Sequence, residues 1–250
     1  MTGDDPALSG PVLNASVLDD PAGASLRGAH THLGRSRGRV ARYREDVAPF
    51  AAVPPDATAA DYADLAALAL PAAAGSNGAV ALFGPPAPPP GWEVLNRLPC
   101  VQMTWDDPPP GLEPAPDAVR LGPRDVPEML DLIERTRPGP FRARTVELGA
   151  YYGLRRDGRL VALAGERMHP PGWTEISAVC TDPDHRGHGY AAALMARVAV
   201  GIRARGERPF LHTAAANPAV RLYERLGFTH RWEVPIVFAR PPLAPAPRSA

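Results

Sequence analysis

The chain has 250 residues, 45% of them hydrophobic, enough for one large domain or two small ones with a buried core. Its 27 basic residues are all arginine and are balanced by 27 acidic ones, so no global field favours nucleic acid or an anionic membrane, and a charged ligand must be held locally. Two cysteines, Cys100 and Cys180, are too few for a disulfide framework; with no basic-then-apolar leader in residues 1–20 and no run of about 18 apolar residues, the expectation is a cytoplasmic protein with reduced thiols.

Residues 1–24 are rich in Gly, Pro, Asp and Ser and read as a flexible N-terminal segment. The arginine-dense stretch 27–44 reads as a solvated helix face. Asp56-Ala57-Thr58 can cap a short amphipathic helix through Leu65 and Leu68 that Pro71 ends. Residues 79–83 then read as a buried strand, and 92–95 and 100–105 as two further strands beyond a proline loop. Together residues 25–105 predict a small α/β companion domain, expected to help shape a pocket on its neighbour. Proline-rich residues 106–117 are the expected linker, since prolines stiffen a connection and cannot join a sheet.

A second α/β domain is predicted over residues 118–240. It opens with a strand at 119–121 and a helix over 125–137 that Pro138-Gly139-Pro140 stops. Asp157-Gly158 is a strong hairpin signal between strands at 151–155 and 159–168. Residues 175–181 form a strand, and after a turn a helix carries Leu194, Met195, Val198, Ala199 and Ile202 at one-face spacing, closed by Gly206. A strand at 208–213, a helix at 217–226 ended by Gly227, and a last strand from Phe228 complete the order β-α-β-β-β-α-β-α-β, a mixed sheet. Residues 241–250 read as a disordered tail.

Between the strand and the one-faced helix lies Arg186-Gly187-His188-Gly189-Tyr190-Ala191. Gly187 and Gly189 can take positive φ, which lets successive N–H groups converge on a pyrophosphate at the helix start, with Arg186 adding charge. A Walker loop needs a lysine and this chain has none, while a dinucleotide fingerprint should follow its strand directly and end the next strand in an acid, which Leu211-His212-Thr213 does not. Arg186, Gly189 and Ala191 instead resemble the Arg/Gln-x-x-Gly-x-Gly/Ala signature of the GNAT N-acetyltransferase superfamily. A second stretch, from Asn217 through Tyr223 to Gly227-Phe228, is similar to that family's Asn-x-x-Ala-x-x-x-Tyr-x-x-x-Gly-Phe segment, with Val220 at the fourth position where the family has Ala.

The resemblance implies acetyl transfer from acetyl-CoA, as co-substrate, to an amine acceptor, with no metal. The cofactor would be held by Val179, Cys180, Thr181, Arg186, Gly187, His188, Gly189, Tyr190, Ala191, Asn217 and Tyr223. An alkylammonium titrates near 10.4, so a base is expected. Glu175, in a segment resembling the base-bearing strand of the histone-acetylating branch, is the first candidate, its carboxyl raised by partial desolvation, with Glu166 as the fallback. Tyr223 would protonate the leaving thiolate, and backbone N–H groups near Val179 and Cys180 would polarise the thioester if the strand bulges there. The expected acceptor is a small amine or amino acid, as in glycine N-acyltransferase-like relatives; the alternatives are a protein N-terminus or lysine, or a non-catalytic acyl-CoA-binding module. No nucleic-acid or membrane partner is expected, and a monomer or homodimer is. A Cys180 acyl-enzyme with His185 or His188 as base is disfavoured by the apolar strand around the thiol, and the same three groups match no common zinc spacing.

Overall fold

The computed structural model describes residues 15–69, 78–106 and 108–242. The N-terminal part begins with a 3-10 turn, Ala15–Asp19, and helix α1, Pro21–Arg27. Asp20 starts α1: its Oδ1 accepts from the Gly23 amide at 2.9 Å, and Pro21 takes a first-turn position whose missing N–H costs nothing. Leu18, Ala22 and Leu26 are buried in the core, so residues 15–24 belong to the body, against the expected flexible segment. Residues 1–14 of that segment lie outside the described residues.

Strands β1 (Gly34–Arg37) and β2 (Val40–Tyr43) form an antiparallel hairpin that turns at Gly38, and β2 pairs with β3 (Ala51–Ala52). The stretch 27–44 is therefore mostly a hairpin, not the expected helix. The burial runs in blocks: residues 35–39, with Arg35, Arg37 and Arg39, are exposed while every residue of β2 is buried on both faces, which a one-sided helix cannot satisfy. Helix α2 (Ala59–Ala69) starts as the sequence indicates, with the Thr58 amide donating to Asp61 Oδ2 at 2.8 Å.

β4 (Val80–Phe83) follows, then β5 (Glu93–Trp105), one long strand where two were expected. Pro99 does not interrupt it because Pro99 lies opposite Pro235 on the neighbouring strand, a register that requires neither missing N–H. The remaining elements are β6 (Val119–Leu121), α3 (Val126–Thr136), β7 (Tyr151–Arg156), β8 (Arg159–Glu166), β9 (Trp173–Thr181), α4 (Tyr190–Ala204), β10 (Arg208–Ala214), α5 (Val220–Arg225) and β11 (Phe228–Arg240). This is the order read from the sequence, with α5 starting three residues later than the helix expected from Asn217.

One mixed eight-stranded sheet, ordered β4-β11-β5-β10-β9-β8-β7-β6, runs through both halves of the chain. β5 pairs with β10 on one side and β11 on the other, so the sheet does not divide into a companion at 25–105 and a second domain at 118–240. The reason lies in the ladder: without β5, the facing edges of β10 and β11 would be unpaired. The segment expected as a linker instead packs on α4, with Ala115 buried and its amide donating to Ala193 O at 3.1 Å.

Alternating side chains of the strands build two faces. On one, Leu194, Met195, Val198 and Ile202 of α4 pack with Val101, Met103, Ile176 and Leu211, each large side chain contributing about 2 kcal/mol by burial. On the other, α3 covers Leu160 and Leu163, while Leu18, Leu26 and Phe50 of the N-terminal part cover Cys100, Trp173, Phe210 and Ile236. Gly206 ends α4 at φ 75°, its amide donating to Arg203 O and that of Glu207 to Ile202 O.

Candidate functional site

β9 and β10 are parallel and pair only at Arg208 with Trp173, Pro209 with Thr174 and Phe210 with Glu175. Beyond that point β9 stays with β8 and β10 with β5. The two strands diverge, opening a cleft of about 1090 Å³ between residues 176–181 and 211–214.

A bulge marks the β9 wall. Leu163 pairs with Cys180 and Gly165 with Ser177, so Ala178 and Val179 together oppose the single residue Ala164. Ala178 takes φ 55°, the left-handed region that costs an alanine about 1–2 kcal/mol. Backbone groups at the bulge are released from the ladder beside the cleft, as the expected thioester-polarising N–H groups require.

At the mouth of the cleft, Gly187 and Gly189 have φ of 83° and 75°. A methyl group on either would meet open space, so the backbone conformation, not crowding, demands glycine there. Gly189 starts α4 with no side-chain cap, which leaves the first amides of a 15-residue helix facing the cleft mouth. The Arg186 guanidinium forms no salt bridge among the described residues; its contact is a long 3.4 Å bond to Thr181 O. The His188 ring stacks on Tyr190, whose hydroxyl accepts from Arg156 Nε at 2.9 Å.

α5 sets Tyr223 into the same cleft. Burial pushes its phenol up to about 12, so near neutral pH it is protonated and can act as an acid but not as a base. Asn217 also lines the cleft, with its amide already engaged: Nδ2 donates to Thr213 Oγ1 at 2.8 Å and Oδ1 accepts from the Ala219 amide at 2.9 Å. Val179, Cys180, Thr181, Arg186, Gly187, His188, Gly189, Tyr190, Ala191, Asn217 and Tyr223 all line this one cleft. Burial raises the Cys180 thiol to about 11, which keeps it an inert hydrophobe and removes the chemical premise of an acyl-enzyme.

Glu175 is different. It is 0% exposed, and both its oxygens are occupied: Arg167 donates from Nε at 2.7 Å and from Nη2 at 2.5 Å, and His212 from Nδ1 at 2.7 Å. Burial alone would raise its carboxyl, but the Arg167 charge and hydrogen bonds, with those of His212, outweigh it and hold the group at about 2. The expected raised carboxyl is thereby corrected, and a base this weak and this fully engaged is unsuited to deprotonating an alkylammonium. Glu166, the fallback, is bound by Arg205 at 3.0 Å and by the Ala150 amide at 3.0 Å, away from the cleft lining.

The partners of Glu175 form a polar line across five strands' worth of sheet, which sequence reasoning missed. Arg231 Nη1 donates to Gln102 Oε1 at 2.7 Å, and Gln102 Nε2 donates to Leu18 O and to His212 Nε2. His212 therefore carries its proton on Nδ1, toward Glu175, and burial lowers its titration. Its one sequence signal was a histidine inside the apolar strand Leu211-His212-Thr213. Also missed were Phe50, Leu98, Ile236 and Phe238, which with Arg167 and His212 line the inner end of the cleft.

Residues 151–237 match the family model described as FR47-like protein. A solved acetyltransferase from the GNAT family of Novosphingobium aromaticivorans is 42% identical, with TM-score 0.80, over 90% of this chain and 98% of that one. A GCN5-related N-acetyltransferase from Kribbella flavida shares the fold at TM-score 0.57 and 19% identity, over 89% of this chain and 96% of that one. The mycothiol acetyltransferase of Thermomonospora curvata is 37% identical over 89 residues, which is 35% of this chain and 30% of that protein. This match thus takes in less than a third of the curated relative's length.

Proposed function

The chain belongs to the GNAT family of acetyltransferases, and on that premise we propose that it transfers an acetyl group from acetyl-CoA to the primary amine of a small molecule by direct attack in a ternary complex. The observation that carries this reading is that the glycine anion turn, the β9 bulge and the protonated Tyr223 all open onto one cleft. The amides of residues 187–191 and Arg186 would bind the pyrophosphate, and bulge N–H groups would polarise the thioester carbonyl.

The amine lone pair forms the new C–N bond and the C–S bond breaks. Tyr223 gives its hydroxyl proton to the departing sulfur, and the proton shed by the nitrogen returns to the phenolate through water. Glu175 has no proton-transfer role in this scheme: from behind the lining it fixes Arg167 and His212. A glycine N-acyltransferase-like assignment drew on a separable companion domain, and with β5 inside the common sheet that support is gone.

The test is to supply acetyl-CoA and a panel of primary amines, following free thiol and the mass of the product. Acetylated amine at a rate that falls about 100-fold in Tyr223→Phe, with acetyl-CoA affinity unchanged, supports the reading. Acetyl-CoA binding with no amine acetylated refutes it.

A further inference from the structure

The inner end of the cleft differs from its mouth in charge and in polarity. Its walls are Phe50, Leu98, Cys100, Ile236 and Phe238, together with Arg167 and His212. The aromatic wall is built rather than incidental: the Arg167 guanidinium lies 4.7 Å over the Phe50 ring, Phe50 stacks on Phe83 at 5.3 Å, and Phe83 meets His212 at 4.6 Å. Around the whole cleft the charged side chains are Arg137, Arg186 and Arg225, together with Arg167, whose charge Glu175 offsets, and no carboxylate is among the described lining residues. Glu175, the nearest acid in the polar line, is neutralised by Arg167.

Such a site offers a cation no counter-ion. Nor does its inner end offer a base; the His185 and His188 imidazoles lie with Arg186 and Gly187 at the mouth. The His212 Nε2 lone pair is taken by Gln102, and burial raises the Cys100 thiol to about 11. The acceptor must therefore arrive neutral on its own account. At pH 7.4 roughly 0.1% of an alkylamine with the lysine reference value of about 10.4 is neutral, against roughly a third of an α-amine near 7.7.

We propose that the acceptor is a weakly basic α-amino group beside an apolar side chain, as in a carboxyl-blocked hydrophobic amino acid, selected by the wall of Phe50, Leu98, Ile236 and Phe238. The inference rests on the acetyl-transfer reading above. The apolar side chain fills the wall, the adjoining α-amine faces the thioester carbon, and the lack of a carboxylate in the lining disfavours polyamines and lysine-like chains.

The experiment compares L-phenylalaninamide, β-phenylethylamine and spermidine at saturating acetyl-CoA, with acetyl-CoA affinity measured separately by calorimetry. The expected kcat/KM for L-phenylalaninamide exceeds that for β-phenylethylamine by about 10-fold or more and that for spermidine by about 100-fold or more. Its pH profile should break at the acceptor's own pKa and move with it across a series of substituted amides. Phe50→Ala should raise KM for L-phenylalaninamide about 10-fold, and Leu98→Glu, at a partly exposed position that tolerates a charge, should lower the preference over spermidine by about 10-fold. Preference for spermidine, a pH break fixed by the enzyme, or an altered acyl-chain preference with unchanged acceptor KM in Phe50→Ala would overturn the inference while leaving acetyl transfer standing. Absence of acetyl-CoA binding would instead remove the acetyl-transfer reading itself, and this inference with it.

Discussion

The mouth and the inner end of the cleft are built by opposite means. The mouth uses consecutive backbone: the bulge at Ala178 and Val179, Gly187, Gly189 and the start of α4 follow one another within a short stretch of chain. The inner end uses side chains from distant places, with Phe50 before α2, Leu98 on β5, Arg167 after β8, His212 on β10 and Phe238 on β11. Backbone sites are encoded by local conformational demands such as positive φ, whereas side-chain pockets exist only once topology has assembled them.

The sharpest way to break the comparison is to disturb the polar line behind the inner end. Glu175→Ala strands the buried Arg167 charge, and denaturant unfolding should register a loss of about 3–5 kcal/mol. A loss near zero would mean that Arg167 finds water there and that the inner end is not a fixed wall. Next in size is Tyr223→Phe, expected to lower kcat about 100-fold, equivalent to about 2.7 kcal/mol, with KM for acetyl-CoA unchanged. An unaltered kcat would take proton delivery away from the α5 side of the cleft.

Acid should expose the difference as well. The Glu175 carboxyl sits at about 2 against a usual 4.5, so its stabilisation is complete above about pH 4.5 and is lost as pH falls toward 2. His30 is held at about 3 against 6.5, by burial first and then by His169 nearby; the unfolded chain takes up its proton first, so stability falls as pH drops from 6.5 toward 3. Thermal melts should decline in two stages, below pH 6.5 and again below 4.5. His30→Gln, which can keep the bonds to Tyr43 and Leu148, should shrink the first stage alone. The smallest effect is at the bulge: Ala178→Gly relieves a left-handed alanine and should stabilise by up to about 1 kcal/mol, whereas destabilisation would mean that the methyl group's packing on the α3 side outweighs the relief.

The same contrast governs what the sequence made legible. The element order from β6 to β11, the Asp157-Gly158 turn, the Gly206 stop and the residues of the cleft mouth follow from local signals and lie where those signals put them. The insertion of β5 between β10 and β11 has no local signature, because strand pairing across more than a hundred residues is decided by which edge is left open. The arginine stretch 27–44 reads as a helix because β1 is exposed and β2 buried along their lengths, so neither strand carries the alternation that marks a half-buried strand. Glu175 was identifiable as a carboxylate near the site, but its environment depends on Arg167 and His212, which a linear reading does not bring to it.

The most direct test of the central claim is calorimetric titration with acetyl-CoA of the natural protein and of Gly189→Glu, which sets an anion and a strained side chain at φ 75° where the pyrophosphate should rest. Micromolar binding by the natural protein, lost by about 100-fold or more in a variant whose circular dichroism is unchanged, is the predicted result. Equal binding by both proteins, or none by the natural protein, would contradict the assignment of this cleft to acetyl-CoA.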